Sequence, residues 1–171
     1  GISSIYSKEN IENLQVEFLE GSTPYISPEQ SGRMNRPLDY RSDFYSLGVT
    51  FYELLTKKTP FESNDLMDVI HSHIAKYPLS PYNTAIIYYP TQANVLQKLS
   101  ELILKLLAKD PENRYQSASG ISYDLTKILE YAKRNDSKPP ILLEIGKNDF
   151  SGKLQIPSKL FGRDLEKKIL T

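Results

Sequence analysis

The amino-acid sequence predicts a mainly α-helical fold, on three observations. Apolar residues at 95, 96, 99, 102, 103, 106 and 107, and again at 118, 121, 125, 128, 129 and 132, repeat at the i, i+3, i+4, i+7 spacing of amphipathic helices. The stretch "DFYSLGVTFYELL" from Asp43 places Phe44, Tyr45, Leu47, Val49, Phe51, Tyr52, Leu54 and Leu55 around nearly the whole circumference of a helix. A helix apolar all round is a buried one. Strand signals are nearly absent through residue 133.

Residues 1 to 30 show neither helical nor strand period and read as a long loop, a feature that is usually functional or disordered. The buried helix then runs from Asp43 to about Leu55. Asp43 suits its N-cap, since the short carboxylate accepts from free N–H groups of the first turn. Gly48 inside that helix costs about 1 kcal/mol relative to Ala, which argues for close approach of a neighbouring segment. Ser63 or Asn64 can cap the next helix, "DLMDVIHSHIAK", whose Leu66, Val69, Ile70, His73 and Ile74 share one face. His73 reads as a core-edge residue. His71 and His73 are spaced i, i+2 and point apart, which is wrong for a metal pair. Residues 77 to 94, with three prolines and four tyrosines, read as an irregular connection. The helix near 95 to 107 follows, "DPENR" ends it, and a last helix starts near Ser117. After the double proline at 139 and 140 the chain breaks into short apolar clusters, as a linker does.

At 171 residues and 19.5 kDa, one domain with a short appendage is expected. Lys plus Arg equals Asp plus Glu at 21 each, so no global field steers the chain to nucleic acid or anionic lipid. Zero cysteines exclude a disulfide framework, a thiol nucleophile and every Cys-based metal site. The apolar run "LILKLLA" is too short to span a bilayer, and no signal-like segment opens the chain. A soluble, cytoplasmic protein is the expectation.

Several pieces in order resemble the C-terminal lobe of a protein kinase, beginning inside the activation segment. Ser27, Pro28 and Glu29 match the A-P-E motif that closes that segment, with Ser for Ala. Gly21, Ser22 and Tyr25 fall where Ser/Thr kinases have a G-T-x-x-Y run. Asp43, Ser46 and Gly48 match the D-x-W-S-x-G run of the central helix, with Tyr45 for Trp, and Arg114 in "AKDPENRY" sits at the family's late arginine. The longer run "SPEQSGRMNRPLDYRSDFYSLGVTFYELL" resembles the kinase domain of very large bacterial and fungal signalling proteins, and "IPSKLFGRDLEKKIL" at 156 to 170 is similar to the start of their signalling ATPase module. The resemblance implies a partial kinase-like fold without the N-terminal lobe. It divides the chain into a lobe fragment at 1 to 134, a linker at 135 to 158 and the start of the ATPase at 159 to 171.

By the same resemblance, Glu29 and Arg114 form a buried ion pair; the bland alternative is two solvated charges far apart in sequence. Gly21, Ser22 and Tyr25 become a substrate-docking loop, and Asp43 anchors the catalytic loop. Gly1, Ser3, Ser4, Tyr6 and Ser7 lie in the activation loop, where phosphate orders such segments in some proteins. Lys57 stands where the family commonly ends this helix with Gly, so the usual left-handed cap is in question.

Phosphoryl transfer is positioning and electrostatics: a Gly-rich loop and a Lys on the phosphates, an Asp for the hydroxyl, and acidic or amide ligands for magnesium. The eight glycines build neither G-x-G-x-x-G nor G-x-x-x-x-G-K-[ST]. No catalytic or metal-binding residue is expected in this chain, while ATP and magnesium are implied for a complete kinase domain. The implied partners are a protein substrate, an upstream kinase half and downstream ATPase and signalling domains of the same polypeptide, with neither nucleic acid nor membrane. Three functions stay open: part of an active Ser/Thr kinase, a catalytically inactive kinase-like regulatory or scaffold module, and a helical interaction domain. Without upstream neighbours the central helix is expected to expose an apolar patch.

Overall fold

The computed structural model describes residues 23–33, 37–133 and 143–150, and among them no strand forms. The axis of the fold is α1, Arg41–Thr56. It begins two residues earlier than the apolar pattern suggested. Tyr40 occupies the cap position, and Asp43 lies exposed in the first turn, where a carboxylate still favours the positive end of the helix dipole. The N-cap reading of Asp43 is therefore corrected.

Nor is α1 buried all round. Tyr45, Val49 and Tyr52 pack with Ile103 and Leu107 into one core cluster, whereas Phe44, Leu47, Phe51 and Leu55 are half-buried and Leu54 is 64% exposed. Gly48 faces the next wall of the core: a Cβ there would lie 2.7 Å from the Cβ of Leu106, so only glycine allows the two helices this close. The helix ends on Lys57 in the left-handed conformation (φ 65°), its N–H donating to the Glu53 carbonyl at 2.7 Å. The left-handed cap forms with a lysine in the place of glycine.

Helix α2, Leu66–Ala75, is capped by Asp65, whose side chain accepts from the Met67 N–H at 2.8 Å; neither Ser63 nor Asn64 takes that place. Its buried face holds Val69, Ile70, Ser72 and His73, with His73 fully inside rather than at the core edge. The stretch read as irregular contains α3, Pro81–Tyr88, and a 3-10 turn at Pro90–Gln92. Pro81 is the first helical residue, where its missing N–H and fixed φ cost nothing. Ser100 ties α3 down, with Oγ 2.9 Å from the Ser80 hydroxyl and accepting from the Tyr82 N–H at 3.2 Å.

Helix α4, Ala93–Leu106, is the shared wall of the core. One side meets α1; the other joins Leu102 and Leu106 to Tyr115, Ile121 and Ile128. A 3-10 turn at Pro111–Asn113, capped by Asp110, leads into α5, Ala118–Lys133, whose first turn is capped by Ser117 Oγ accepting from the Gly120 N–H at 3.0 Å. Residues 143–150, expected inside a linker spanning 135 to 158, instead fold back on this wall: Leu143 and Ile145 pack against the second cluster. Between α1, α4 and α5 two adjoining apolar cavities of about 230 and 330 Å3 open to the surface, sharing Leu125 and bounded by Phe51 and Leu54 in one and Phe44 and Leu129 in the other. Among the described residues no helix is long and apolar enough to cross a membrane.

Candidate functional site

Residues 23–31 form two short 3-10 turns, Thr23–Tyr25 and Pro28–Ser31, laid across the start of α1 and held from below. Pro28 opens the second turn, and the Gln30 side chain accepts from the Ser27 N–H at 2.8 Å. That local folding aims Glu29 inward. Its carboxylate, 4% exposed, meets the guanidinium of Arg114, 1% exposed, in a bidentate pair of 2.6 and 2.8 Å, the geometry a planar fork makes with a carboxylate.

Both partners make further hydrogen bonds. The Ser42 hydroxyl donates to Glu29 Oε1 at 2.7 Å. Arg114 donates to the carbonyls of Arg41 (3.0 Å), Ala108 (2.8 Å) and Lys109 (3.2 Å), so each of its five N–H groups has an acceptor. Burial pushes the Glu29 carboxyl up, but hydrogen bonds from Arg114 and Ser42 outweigh it and hold the group below its ordinary value.

Tyr25 anchors the first turn. Its hydroxyl donates to Glu53 Oε2 at 2.6 Å, its carbonyl accepts from Ser46 Oγ at 2.8 Å, and its ring packs on the cluster around Tyr45. Under the loop, the Tyr45 hydroxyl lies 2.9 Å from His73 Nδ1 and accepts from Lys109 Nζ at 3.4 Å, while the Arg114 guanidinium sits 5.0 Å from its ring centre. Lys109 also donates to the His73 carbonyl at 2.7 Å and stands 4.6 Å from the Phe61 ring. It thereby caps the carbonyl end of α2, where a cation is favoured. Burial and the neighbouring Arg114 pull Lys109 down to about 8. Burial and Lys109 pull His73 down to about 4, so the ring is neutral at pH 7.

The structure thus brings Tyr25, Ser27, Pro28, Glu29 and Arg114 into one assembly. Asp43 and Gly48 lie outside it, the first exposed on α1, the second against α4. Gly21 and Ser22, and the activation-loop positions Gly1, Ser3, Ser4, Tyr6 and Ser7, lie outside the described residues. Sequence reasoning missed Ser42, Glu53, His73 and Lys109 as parts of the site. Tyr45 in place of Trp was the one available signal, because a buried hydroxyl can accept as well as donate, whereas an indole N–H only donates. Chemically, this arrangement holds a loop rigid. Among the described residues no cluster of His, Asp and Glu could hold a metal ion.

Comparison with known proteins adds a family. The protein kinase domain model matches residues 1–125. A hybrid signal transduction histidine kinase of Dictyostelium discoideum is 50% identical over 101 residues, 59% of this chain and 3% of that protein. The serine/threonine-protein kinase PknB of Mycolicibacterium smegmatis is 37% identical over 110 residues, covering 64% of this chain and 16% of its own length. The peroxide stress-activated histidine kinase mak2 of Schizosaccharomyces pombe is 32% identical over 149 residues, 85% of this chain and 6% of that protein. The chain spans a small part of each relative.

Proposed function

The chain belongs to the protein kinase family, and on that footing we propose that it forms the helical, substrate-facing lobe of a serine/threonine kinase domain in a larger signalling polypeptide. The observation that carries the reading is the buried Glu29–Arg114 pair, which fastens residues 23–31 to the helical core across 85 positions of sequence. A loop so fastened, with Tyr25 pinned to Glu53 beside it, is a fixed floor against which an extended protein segment can dock. By the family resemblance, Gly21 and Ser22, which lie outside the described residues, are the substrate-docking positions next to that floor in sequence. The names of the similar proteins, several of them histidine kinases much longer than this chain, support further signalling domains in the same polypeptide, the ATPase-like run at 156 to 170 being the first.

The residues present do not fit ATP or magnesium: the glycine spacing gives no phosphate cradle, and among the described residues no metal-binding cluster occurs. Both would be held by an upstream half of the kinase domain. The test is transfer of labelled phosphate from ATP to casein by the protein carrying this lobe together with its nucleotide-binding half. Phosphoserine or phosphothreonine is expected, and the 171-residue chain alone is expected to transfer none. A folded, complete domain that labels no hydroxyl would overturn the reading in favour of a catalytically inactive docking module.

A further inference from the structure

We propose that residues 143–150 are a strap whose docking sets the state of the Glu29–Arg114 latch, and with it the docking loop. The regulatory meaning rests on the substrate-docking reading above; the physical coupling does not.

The strap is seated by specific groups. Gly146 turns it with φ 79°, and a Cβ there would collide with Lys105 Cε. The Gly146 N–H donates to Asp124 Oδ2 at 2.7 Å, and the same carboxylate oxygen accepts from the Tyr115 hydroxyl at 2.5 Å. At its far end Asp149 accepts from the Gln116 N–H at 2.6 Å and the Ser117 hydroxyl at 2.8 Å. Gly120 makes room for it, since a Cβ there would lie 2.7 Å from Asp149 Cβ.

Three consecutive residues therefore face two ways. Arg114 grips Glu29, Gln116 holds the strap through its N–H, and Tyr115 reaches it through Asp124. Gln116 closes the circuit: its Oε1 accepts from Arg41 Nη1 at 2.7 Å, its Nε2 donates to the Arg114 carbonyl at 2.9 Å, and the Arg41 carbonyl in turn accepts from Arg114. Withdrawing Asp149 strips the acceptor from the Gln116 N–H and loosens the backbone that carries Arg114. The strap is also the part that can leave: Phe150 is 75% exposed, and the Glu144–Lys147 pair lies at the surface. An element with docked and released states, touching the latch through one residue, is the physical requirement for coupling two sites.

Backbone hydrogen exchange on the full protein tests this with Asp149→Ala and, separately, Gly146→Ala. Each is expected to speed exchange about tenfold in residues 112–118 and 23–31, as local opening there grows more frequent, while α4 keeps its protection. Faster exchange confined to 143–150, or no change even there, would overturn the coupling. Loss of protection everywhere in both variants would overturn it too, because a strap inseparable from global folding carries no signal of its own. Exchange reads no phosphate transfer, so failure here leaves the kinase assay standing, and failure of that assay leaves the coupling standing.

Discussion

The Tyr45 hydroxyl sits between a neutral imidazole and an ammonium, and that placement makes the lobe sensitive to acid. In the unfolded chain His73 takes a proton near its ordinary value of about 6.5; in the fold it resists until about 4. Between those values the unfolded state binds more protons, so stability is full above about 6.5 and falls as pH drops toward 4. A shift of that size corresponds to roughly 3 kcal/mol. Urea midpoints at pH 7 and pH 5 should therefore differ, and His73→Gln, which keeps a hydrogen-bonding side chain but cannot titrate, should flatten the difference; an equally steep fall in the variant would refute the assignment. Arg114→Ala acts on the same ground by another route. It strands a carboxylate that is 4% exposed, and removing one partner of a buried pair costs roughly 3 to 5 kcal/mol. Chemical denaturation of the complete lobe should show that loss, and an unchanged midpoint would count against the pair as a structural latch. The pair was legible in sequence because both residues sit in ordered motifs. The Tyr45–His73–Lys109 group was not: its members lie 28 and 36 positions apart, and each has an ordinary local explanation.

Among the elements, legibility followed periodicity. α4 and α5 bury one stripe each, so their apolar spacing announces them. α1 was legible as a helix but not in its burial, because sequence records apolar residues and not whether a neighbour covers them. α3 has eight residues, and its apolar residues form no single stripe. Its signal was instead Ser80 followed by Pro81, a cap and a first helical residue, which the surrounding prolines disguised as a loop. The cap of α1 went the other way. Lysine in the left-handed region costs roughly 1 to 2 kcal/mol, yet the turn around Thr56 and Lys58 is fastened by the Thr56 hydroxyl, which donates to the Tyr52 or the Lys58 carbonyl at 2.9 or 2.8 Å. Tertiary context thus overrides the residue preference.

For the molecule as a whole, the apolar groove between α1 and α5, open among the described residues, decides behaviour in solution. Leu54 and Leu129 are 64% and 52% exposed at its edges, and apolar surface of this kind recruits cover. The 171-residue chain alone is expected to be marginally stable or to aggregate, as read by light scattering and a thermal melt. A monodisperse monomer with a sharp cooperative transition would sink that expectation. The same scale accounts for residues 143–150: Gly146, Asn148 and Asp149 look like spacer composition, and only the seats on Asp124, Gln116 and Ser117 tie the segment to the helical core. Arg114 carries a further consequence. With all five N–H groups already engaged, it has none left for a second anion. A phosphate added at Ser3, Ser4, Tyr6 or Ser7 must draw its countercharge from some other cation, or else compete with Glu29 and unfasten the loop it was added to order.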